Sequence, residues 1–553
     1  MRVGVDVGGT FTDVVVAAGG QLTVWKLPST PEDQSEAFAE GVRAGLERAG
    51  HGGSSPTGSI GPVAVIAHGT TVATNALLER RGALTAFVAT EGFRDLLQIG
   101  RQDRPALYDL WADRPLPLVP RAFSVGVPER TGPGGEIVAP LDEDVTRAAL
   151  RELAPAAPES VAVCLLFSFA NPEHEERVEA LIREALPGAR VSLSSRVLPE
   201  FREYERASTT VLDAYVGPVI DRYVGRITER VEGAGLGSAP VVVMRSGGST
   251  MSAARAVEEP VHTLLSGPAA GVRGAAAVAR AAGFGDLVTF DMGGTSTDVC
   301  LVEDGEPGVA TESSVGGFPF RTPALGVHTV GAGGGSVLWL DPAGALRAGP
   351  RSAGAVPGPA CYGRGGEEPT VTDAHVVLGH LDAASFLGGR ARLDEGAAAR
   401  VLAEIARKTG ATPEEVALAG LGAVRASMSK AIRVVSVERG RHPRDFALVA
   451  FGGAGPMHAT TLAAELEMDR VLIPPGAGVL SALGLLATPL ASDLSLTRPM
   501  TDADPGDVER ILSELAERAT EALRDQGSDV AEVARIVDCR YKGQAHEVPV
   551  PID

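Results

Sequence analysis

The sequence predicts a two-lobed α/β protein, and three features support that prediction. The first is a motif that occurs twice, as Asp6-Val-Gly-Gly-Thr-Phe-Thr-Asp13 and as Asp291-Met-Gly-Gly-Thr-Ser-Thr-Asp298. Each copy lies between β-branched runs, which is typical of a strand, a tight glycine turn and a second strand. The second feature is the alternation of predicted strands and helices along the chain. The third is the length of 553 residues, which suits two or three domains with sizeable cores.

The elements of the first half follow in order. After the first motif, a helix is predicted over residues 32–49 and a glycine- and serine-rich loop over 50–61. A strand over 63–67 leads into His68-Gly-Thr-Thr-Val-Ala-Thr-Asn75, and a helix follows over 76–81. Further strands are predicted over 85–89 and 161–169, with a polar and aromatic loop over 101–111 between them.

The second half opens with a long helical pattern over 202–231, which Gly217-Pro218 would interrupt. It then contains the second motif, a glycine run over 331–335 and helices within 395–437. The segment Phe451-Gly-Gly-Ala-Gly-Pro-Met-His458 is predicted as a strand that enters a helix. We expect a first lobe over residues 1–190, a second over 191–495, and the incomplete start of a smaller C-terminal domain over 496–553.

The repeated motif is suited to holding a polyphosphate. Glycines at a turn let successive backbone N–H groups point into one concavity, and neighbouring threonine hydroxyls add donors. Asp6 and Asp291 would face the same space as partners of Mg²⁺, through water. The residues predicted to bind the nucleotide from the two motifs are Gly8, Gly9, Thr10, Thr12, Asp13, Gly293, Gly294, Thr295, Thr297 and Asp298.

No glycine-rich stretch ends in Gly-Lys-Ser or Gly-Lys-Thr, so the nucleotide fold is not of the Walker type. Two such hairpins, one in each half, with a later glycine-rich loop, resemble the superfold of actin, sugar kinases and heat-shock chaperone ATPases. That resemblance implies ATP as the ligand, with Gly452, Gly453 and Gly455 seating the adenosine. Gly333 and Gly334, which follow the second motif, are predicted to belong to the same nucleotide site.

Composition excludes several partners and locations. The formal net charge is -20 and basic residues do not cluster with aromatic ones, so we expect no binding to nucleic acid or to an anionic membrane. The longest uncharged stretch, 471–492, is interrupted by proline and glycine, which argues against a membrane span. Four cysteines without a CxxC pair indicate reduced thiols in the cytoplasm. The first strand begins at Val3, which leaves no room for a signal peptide.

A more specific resemblance rests on six segments. They are His68 to Leu78, the second motif, residues 331–336, Pro357-Gly-Pro-Ala-Cys-Tyr-Gly-Arg364, Thr370-Val-Thr-Asp373 and residues 451–458. Together, in this order and across nearly the whole chain, they are similar to the hydantoinase A/5-oxoprolinase family. The resemblance implies an ATP-binding subunit that works with a hydantoinase B-type partner in a hetero-oligomer. It also implies that ATP activates an unreactive carbonyl compound.

The chain departs from the family pattern near the expected substrate loops. Gly326 and His375 stand where the family usually has Asp and Asn, and the loop 246–248 lacks the usual Asn. These departures leave the substrate open. They do not affect the expectation that a nucleotide binds.

Several further residues are candidates for the substrate side, each with a structural alternative. His68, which ends a strand, is predicted to be catalytic together with Asp6 and Asp291, or else is a hydrogen-bonded loop histidine. Cys361 is a candidate nucleophile or else a buried thiol. Asp373 is predicted to bind a metal or orient a phosphate, or else to cap a helix. Arg101 either neutralises an anion or is an exposed loop arginine. The full set predicted to contact the substrate is Thr70, Thr71, Asn75, Arg101, Cys361 and Asp373.

The leading functional expectation is Mg²⁺-dependent ATP hydrolysis coupled to ring opening of a small cyclic amide such as 5-oxoproline, a hydantoin or N-methylhydantoin. A lactam carbonyl is a poor electrophile, and phosphorylating its oxygen creates a good leaving group. The first alternative is a β-type subunit of a carboxylase that acts on acetone or acetophenone, which would share every ATP motif. The second is a non-catalytic actin-like scaffold.

Overall fold

The computed structural model describes residues 1–552 apart from residues 31, 52–61, 387, 388, 390, 531 and 545. The strands are β1 (Arg2–Val7), β2 (Phe11–Ala18), β3 (Gln21–Pro28), β4 (Val65–Thr70), β5 (Thr85–Thr90), β6 (Ser124–Val127), β7 (Arg130–Thr131), β8 (Ile137–Ala139), β9 (Ser160–Cys164), β10 (Arg190–Leu193), β11 (Val241–Met244), β12 (Thr250–Ser252), β13 (Leu287–Met292), β14 (Thr297–Glu303), β15 (Glu306–Pro307), β16 (Val309–Ala310), β17 (Ser313–Val315), β18 (Phe318–Phe320), β19 (Ala324–Leu325), β20 (His328–Val330), β21 (Ser336–Leu340), β22 (Leu346–Ser352), β23 (Ala447–Phe451), β24 (Val471–Leu472), β25 (Ile536–Cys539) and β26 (Val548–Pro551). The α-helices are α1 (Gln34–Leu46), α2 (Val72–Leu78), α3 (Leu96–Ile99), α4 (Glu143–Leu153), α5 (Glu173–Ala185), α6 (Ser194–Val197), α7 (Glu203–Gly233), α8 (Ala253–Glu258), α9 (Ser266–Ala281), α10 (Val371–Val377), α11 (Glu395–Thr409), α12 (Pro413–Val435), α13 (Gly455–Glu465), α14 (Leu480–Ala487) and α15 (Pro505–Asp525).

The two lobes are built on sheets with the same local pattern. In the first lobe the strand order is β12-β11-β4-β1-β2-β3, with β1 antiparallel to β2 and parallel to β4. In the second lobe the order is β15-β14-β13-β23-β24, with β13 antiparallel to β14 and parallel to β23. Both repeated motifs therefore form the predicted hairpins, and the two-lobed α/β architecture is confirmed.

The boundary predicted at residue 190 does not separate the two lobes. Strand β11 pairs with β4, and β12 pairs with β11, so the chain completes the first sheet only near residue 252. Before that, the first lobe contains a second, all-parallel sheet in the order β10-β9-β5-β6. Helix α7 packs against this second sheet and continues through Pro218 without the predicted break. The sequence pattern could not show that β11 and β12 rejoin the first sheet, because strand pairing is a long-range contact.

Each sheet buries an apolar face against helices. In the first lobe, Val3, Val5 and Val14 pack with Phe38 of α1 and Tyr223 of α7. The larger core of the second lobe joins β13, β14 and β23 to α12 and α13. Helix α1 begins at the Asp33 cap, as the helical pattern over 32–49 predicts, whereas most of the predicted loop over 50–61 lies outside the described residues.

Two helices join the lobes, and glycines let them approach closely. Helix α14 packs on α9, where Gly484 lies so near Gly274 and the Ala270 carbonyl that a Cβ on Gly484 would overlap backbone atoms. The opposite side of α14 contacts β1, where a Cβ on Gly4 would overlap the Ala482 carbonyl oxygen. Helix α14 is thus in backbone contact with both lobes.

The last part of the chain is less buried than the lobes. Helix α15 buries only Leu512, and β25 pairs with β26 in a hairpin with exposed Ile536 and Val548. Within the part of the chain that the structure describes, no helix combines the length and the apolar character needed to cross a bilayer.

Candidate active site

The two repeated hairpins face each other where the lobes meet, and we call the space that they border the cleft. We call residues 6–13 the first hairpin and residues 291–298 the second hairpin. A Cβ built on Gly294 of the second hairpin would lie 3.8 Å from the Thr10 Oγ1 of the first. The charges of Asp6 and Asp13 also raise the pKa of Asp291 in the other lobe. The fold therefore brings together two motifs that are 285 positions apart in sequence.

Each hairpin turn presents backbone donors to the cleft. The amides of Gly8 and Gly293 close the turns by donating to the carbonyls of Phe11 and Ser296, at 3.1 Å in each case. The next two amides of each turn, those of Gly9, Thr10, Gly294 and Thr295, have no partner among the residues that the structure describes. Consecutive N–H groups in this arrangement are suited to binding an anion.

Four carboxyl groups lie at the base of the hairpins in two symmetric pairs. Asp6 stands opposite Asp13 in the β1–β2 ladder, and Asp291 stands opposite Asp298 in the β13–β14 ladder. Like charges in directly opposed positions destabilise a sheet. Ionisation of these carboxyls therefore creates repulsion that a bound cation would relieve.

The surrounding protein raises the pKa of all four carboxyls, although each is partly accessible from the cleft. Burial is the largest cause, and it raises the pKa of Asp6 to about 7, with repulsion from Asp13 adding to it. Burial raises the pKa of Asp298 to about 6. The pKa of Asp291 is raised well above its usual range by burial and then by the other three carboxylates. For Asp13 burial raises the pKa, and the neighbouring Lys26 opposes that shift.

Sequence reasoning missed Lys26, which contacts this carboxyl cluster. Its Nζ lies 2.5 Å from Asp13 Oδ1 and donates to the Gly478 carbonyl at 3.0 Å. The sequence held a signal for this contact, because the two-residue turn at Gly19 and Gly20 pairs Ala18 with Gln21 and, by the same register, Asp13 with Lys26.

Some predicted nucleotide ligands instead support the hairpins. Thr12 and Thr297 are fully buried, and their hydroxyls bond to the Ser29 hydroxyl at 3.0 Å and to the Ala332 carbonyl, away from the cleft. Gly333 and Gly334 are buried behind the second hairpin, and the Gly334 amide donates to the Gly293 carbonyl at 3.0 Å. The structure thus gives these four residues a supporting position, since their polar groups already have protein partners.

The glycine-rich segment 451–458, which we call the late glycine loop, borders the second hairpin. Gly452 has a φ of 80°, and a Cβ there would overlap Asp291 Oδ1, so only glycine fits this approach. The Ala454 amide donates to the Met292 carbonyl at 2.9 Å. Gly453 is exposed, whereas Gly455 is buried as the first residue of α13. The loop therefore packs directly against the second hairpin.

His68 does not lie in the cleft, which corrects the prediction that it is catalytic. It pairs with Val5 in β4–β1, so its side chain points to the face opposite Asp6, and it is fully buried. Its two ring nitrogens lie 3.1 Å from the Val5 carbonyl and 2.8 Å from the Tyr223 hydroxyl. Burial lowers the pKa of His68 to about 4. His68 is therefore a core histidine whose two ring nitrogens both have hydrogen-bond partners.

The residues at the end of β4 and just after it differ in burial. Thr70 is buried, and its hydroxyl accepts a bond from the Val72 amide at 3.2 Å. Thr71 and Asn75 are partly exposed and bonded to each other at 3.1 Å. The Thr71 methyl would lie 3.1 Å from a Cβ on Gly267, at the start of α9. Thr71 and Asn75 therefore remain candidates for the substrate side, and Thr70 does not.

Arg101 forms ion pairs with carboxylates of the protein itself. Its guanidinium contacts Glu205 of α7 at 2.7 Å and Glu312, in the second half of the chain, at 2.5 Å. A side chain engaged by two carboxylates is not free to neutralise a substrate anion. The contacts indicate a structural link between the two halves.

Cys361 and Asp373 also have structural roles, which corrects their assignment to the substrate site. Asp373 is the third residue of α10 and forms a capping box with Thr370. Its other oxygen accepts the Cys361 amide at 2.8 Å. Burial and then the Asp373 charge raise the pKa of the Cys361 thiol, which is fully buried. A thiol in such surroundings is a poor nucleophile.

The unreactive state of Cys361 can be tested by alkylation. We expect iodoacetamide to modify Cys361 in the native protein at least about 100-fold more slowly than Cys539, because the exposed thiol can ionise in water. Peptide mass spectrometry over time measures both rates, and the urea-unfolded protein serves as the control in which the rates converge. Equal labelling of the two thiols in the native protein would restore Cys361 as a nucleophile.

Among the described residues, no group of three or more His, Cys, Asp or Glu side chains is arranged to hold a metal ion. Mg²⁺ at nucleotide sites is commonly held by one or two carboxylates together with phosphate oxygens and water. Asp6 and Asp291, with the charge excess around them, fit that mode of binding.

Comparisons with known proteins match nearly the whole chain. The family model for the hydantoinase/oxoprolinase N-terminal region matches residues 2–186, and the model for hydantoinase/oxoprolinase matches residues 206–493. The chain is 38% identical to caprolactamase subunit alpha of Pseudomonas jessenii, over 100% of this chain and 80% of that protein.

Two solved structures have the same fold over the whole chain. An ATP-dependent caprolactamase from Pseudomonas jessenii aligns with a TM-score of 0.85 at 36% identity, covering 100% of this chain and 81% of that one. A nucleotide-free acetone carboxylase, an enzyme of ATP-dependent acetone carboxylation, aligns with a TM-score of 0.83 at 28% identity and the same two coverages. The two family models together span most of the sequence, and the chain therefore belongs to the hydantoinase/oxoprolinase family.

Proposed function

We propose that this chain binds ATP with Mg²⁺ between its lobes and uses the terminal phosphoryl group to activate a cyclic amide for ring opening. The observation that carries the proposal is the pair of facing hairpins. Each has two backbone amides at its tip without a partner in the described part of the chain, and two carboxyls at its base. Membership of a family that includes an ATP-dependent caprolactamase supports a lactam as the substrate class.

The chain's own groups would divide the work as follows. The amides of Gly9, Thr10, Gly294 and Thr295 would hold phosphate oxygens, and the hydroxyls of Thr10 and Thr295 would add donors. The ion, when bound, supplies positive charge to the phosphate oxygens. Asp6 and Asp291 would hold it, while the late glycine loop seats the adenosine.

The chemical need for ATP follows from the substrate. An amide carbonyl is weakly electrophilic because nitrogen donates into it, and its oxygen is a poor leaving group. Transfer of a phosphoryl group to that oxygen forms a P–O bond, breaks the bond to ADP and leaves a carbon that water can attack. Positioning of the amide oxygen in line with the terminal phosphate is therefore the protein's main contribution. Thr71 and Asn75 are our candidates for holding the amide.

We infer that the active enzyme is a hetero-oligomer with a hydantoinase B-type subunit that completes hydrolysis. Support comes from the relative in Pseudomonas jessenii, which is itself a subunit alpha. We also retain the cytoplasm as the location, since all four cysteines are free thiols.

A carboxylase is the second candidate, because the acetone carboxylase structure matches the whole chain almost as well as the caprolactamase does. It would use the same ATP site to activate bicarbonate and a ketone. The two candidates would therefore share the ATP site and differ only in how the substrate is held. Of the two departures from the family pattern, His375 is buried in α10 and bonds to His458 at 3.1 Å, so it is not a substrate-loop residue.

An ATP-turnover experiment separates these readings. The purified chain and a hydantoinase B-type subunit are mixed with Mg²⁺ and ATP, and ADP release is measured with 5-oxoproline, hydantoin, N-methylhydantoin, or acetone with bicarbonate. We expect at least about ten-fold stimulation by one cyclic amide, with ring-opened product in step with ADP, because productive binding aligns the reacting groups. Open-chain N-methylacetamide is the matched control. Stimulation by acetone and bicarbonate alone would establish the carboxylase instead.

A further inference from the structure

Lys26 connects two parts of the cleft that come from different ends of the chain. Its Nζ contacts Asp13 of the first hairpin at 2.5 Å and donates to the Gly478 carbonyl at 3.0 Å. Gly478 belongs to the short turn 477–479, which leads directly into α14. One ammonium group therefore joins the first lobe to the start of the interlobe helix.

The same turn holds the late glycine loop. The Gly452 amide donates to the Ala477 carbonyl at 3.0 Å, next to the residue that Lys26 contacts. A short chain of bonds thus runs from Asp13 through Lys26 and residues 477–478 to Gly452. It joins the first hairpin, in one lobe, to the late glycine loop, in the other.

The surroundings hold the ammonium group in this position. The side chain of Lys26 is 22% exposed, and its Nζ lies 5.3 Å from the centre of the Phe11 ring. The positive charge of Lys26 opposes the rise in the pKa of Asp6, Asp13 and Asp291. A hydrogen bond between ions, in a partly desolvated site, is stronger and more directional than one at the surface.

We propose that Lys26 is a positioning residue that keeps the first hairpin in register with the late glycine loop, so that one ATP molecule can contact both. This rests on the proposed ATP site. A ligand that spans both elements depends on their separation, whereas a ligand that reaches only the late glycine loop does not. Lys26 should therefore matter for ATP and not for AMP.

Equilibrium binding tests this role without relying on turnover. Isothermal titration of the full chain with ATP and with AMP, each with Mg²⁺, is compared for wild type, Lys26→Met, Lys26→Arg and the control Lys430→Met, an exposed lysine on α12. We expect Lys26→Met to weaken ATP binding about ten-fold and to leave AMP within about two-fold, because only the spanning ligand loses a bonded partner element. Lys26→Arg should recover most of the loss, and Lys430→Met should match wild type.

Kinetics separates positioning from direct catalysis. Lys26→Met should raise the KM for ATP and leave kcat within about three-fold, since uniform binding is what is lost. A lowered kcat at unchanged KM would overturn the proposal by making Lys26 a group that stabilises the transition state.

Other results would also overturn it. These are wild-type ATP affinity in Lys26→Met, a parallel loss of ATP and AMP binding, or an arginine variant no better than the methionine one. If wild type and Lys26→Met bind ATP equally well, only this inference is wrong. A wild-type chain that does not bind ATP sinks the proposed nucleotide site and this inference together.

Discussion

Asp291→Asn is expected to lower ATP turnover at least about a thousand-fold, because the site loses a charge proposed to hold the ion at the phosphates. The asparagine keeps the size of the side chain, and Gly452 leaves room for it. ADP release at saturating ATP and amide substrate measures the effect. Asp469→Asn, an exposed aspartate of the same lobe, is the matched control.

The same variant should be no less stable than wild type. Burial and three neighbouring carboxylates raise the pKa of Asp291, so its ionised form is unfavourable in the ligand-free protein. Replacing it with a neutral amide removes that repulsion, and we expect an unchanged or higher unfolding temperature. Near-normal turnover in Asp291→Asn would contradict the metal-holding role, and a large fall in unfolding temperature would show that the loss of activity reflects misfolding.

Gly484→Ala is expected to destabilise the protein by about 3 kcal/mol, the upper range for overpacking, although alanine is the better helix former. The new methyl group would overlap the Ala270 carbonyl oxygen and approach the Gly274 amide, both on the backbone of α9. Backbone atoms cannot move aside as a flexible side chain can, so the two helices must separate. Thermal unfolding monitored by circular dichroism measures the change.

Gly225→Ala provides the control for this prediction. Gly225 lies within α7, and an added Cβ there meets nothing within 4 Å. The substitution should raise stability by up to about 1 kcal/mol, through helix propensity alone. A loss of stability in Gly484→Ala together with a gain in Gly225→Ala would establish the close α9–α14 contact. A stabilised Gly484→Ala would show that the two helices are not packed so closely.

The hairpins were predictable because their information is local. An Asp, two glycines and threonines between β-branched runs specify strand, turn and strand, and both copies fold that way. The register of β2 and β3 is equally local, since a two-residue turn fixes the Asp13–Lys26 pair. The capping box at Thr370 and Asp373 also follows from sequence spacing alone.

The predictions that failed concern the direction of side chains and their distant partners. His68 follows a strand pattern correctly, but only the pairing of β4 with β1 decides that it faces Tyr223 and not the cleft. Arg101 finds Glu205 and Glu312, which lie 104 and 211 positions away. The return of β11 to the first sheet depends on a similar long-range contact.

The two glycine hairpins, the alternation of strands and helices, and the charge types available for a phosphate site all follow from the sequence alone. Which of those residues lie in contact depends on the tertiary fold. Hydrogen bonds and turn geometry within a few residues depend on the local sequence, whereas the facing of the two hairpins depends on the packing of α14 against both lobes. The tertiary structure therefore separates Asp6 and Asp291, which line the cleft, from His68, Cys361 and Asp373, which support the fold around it.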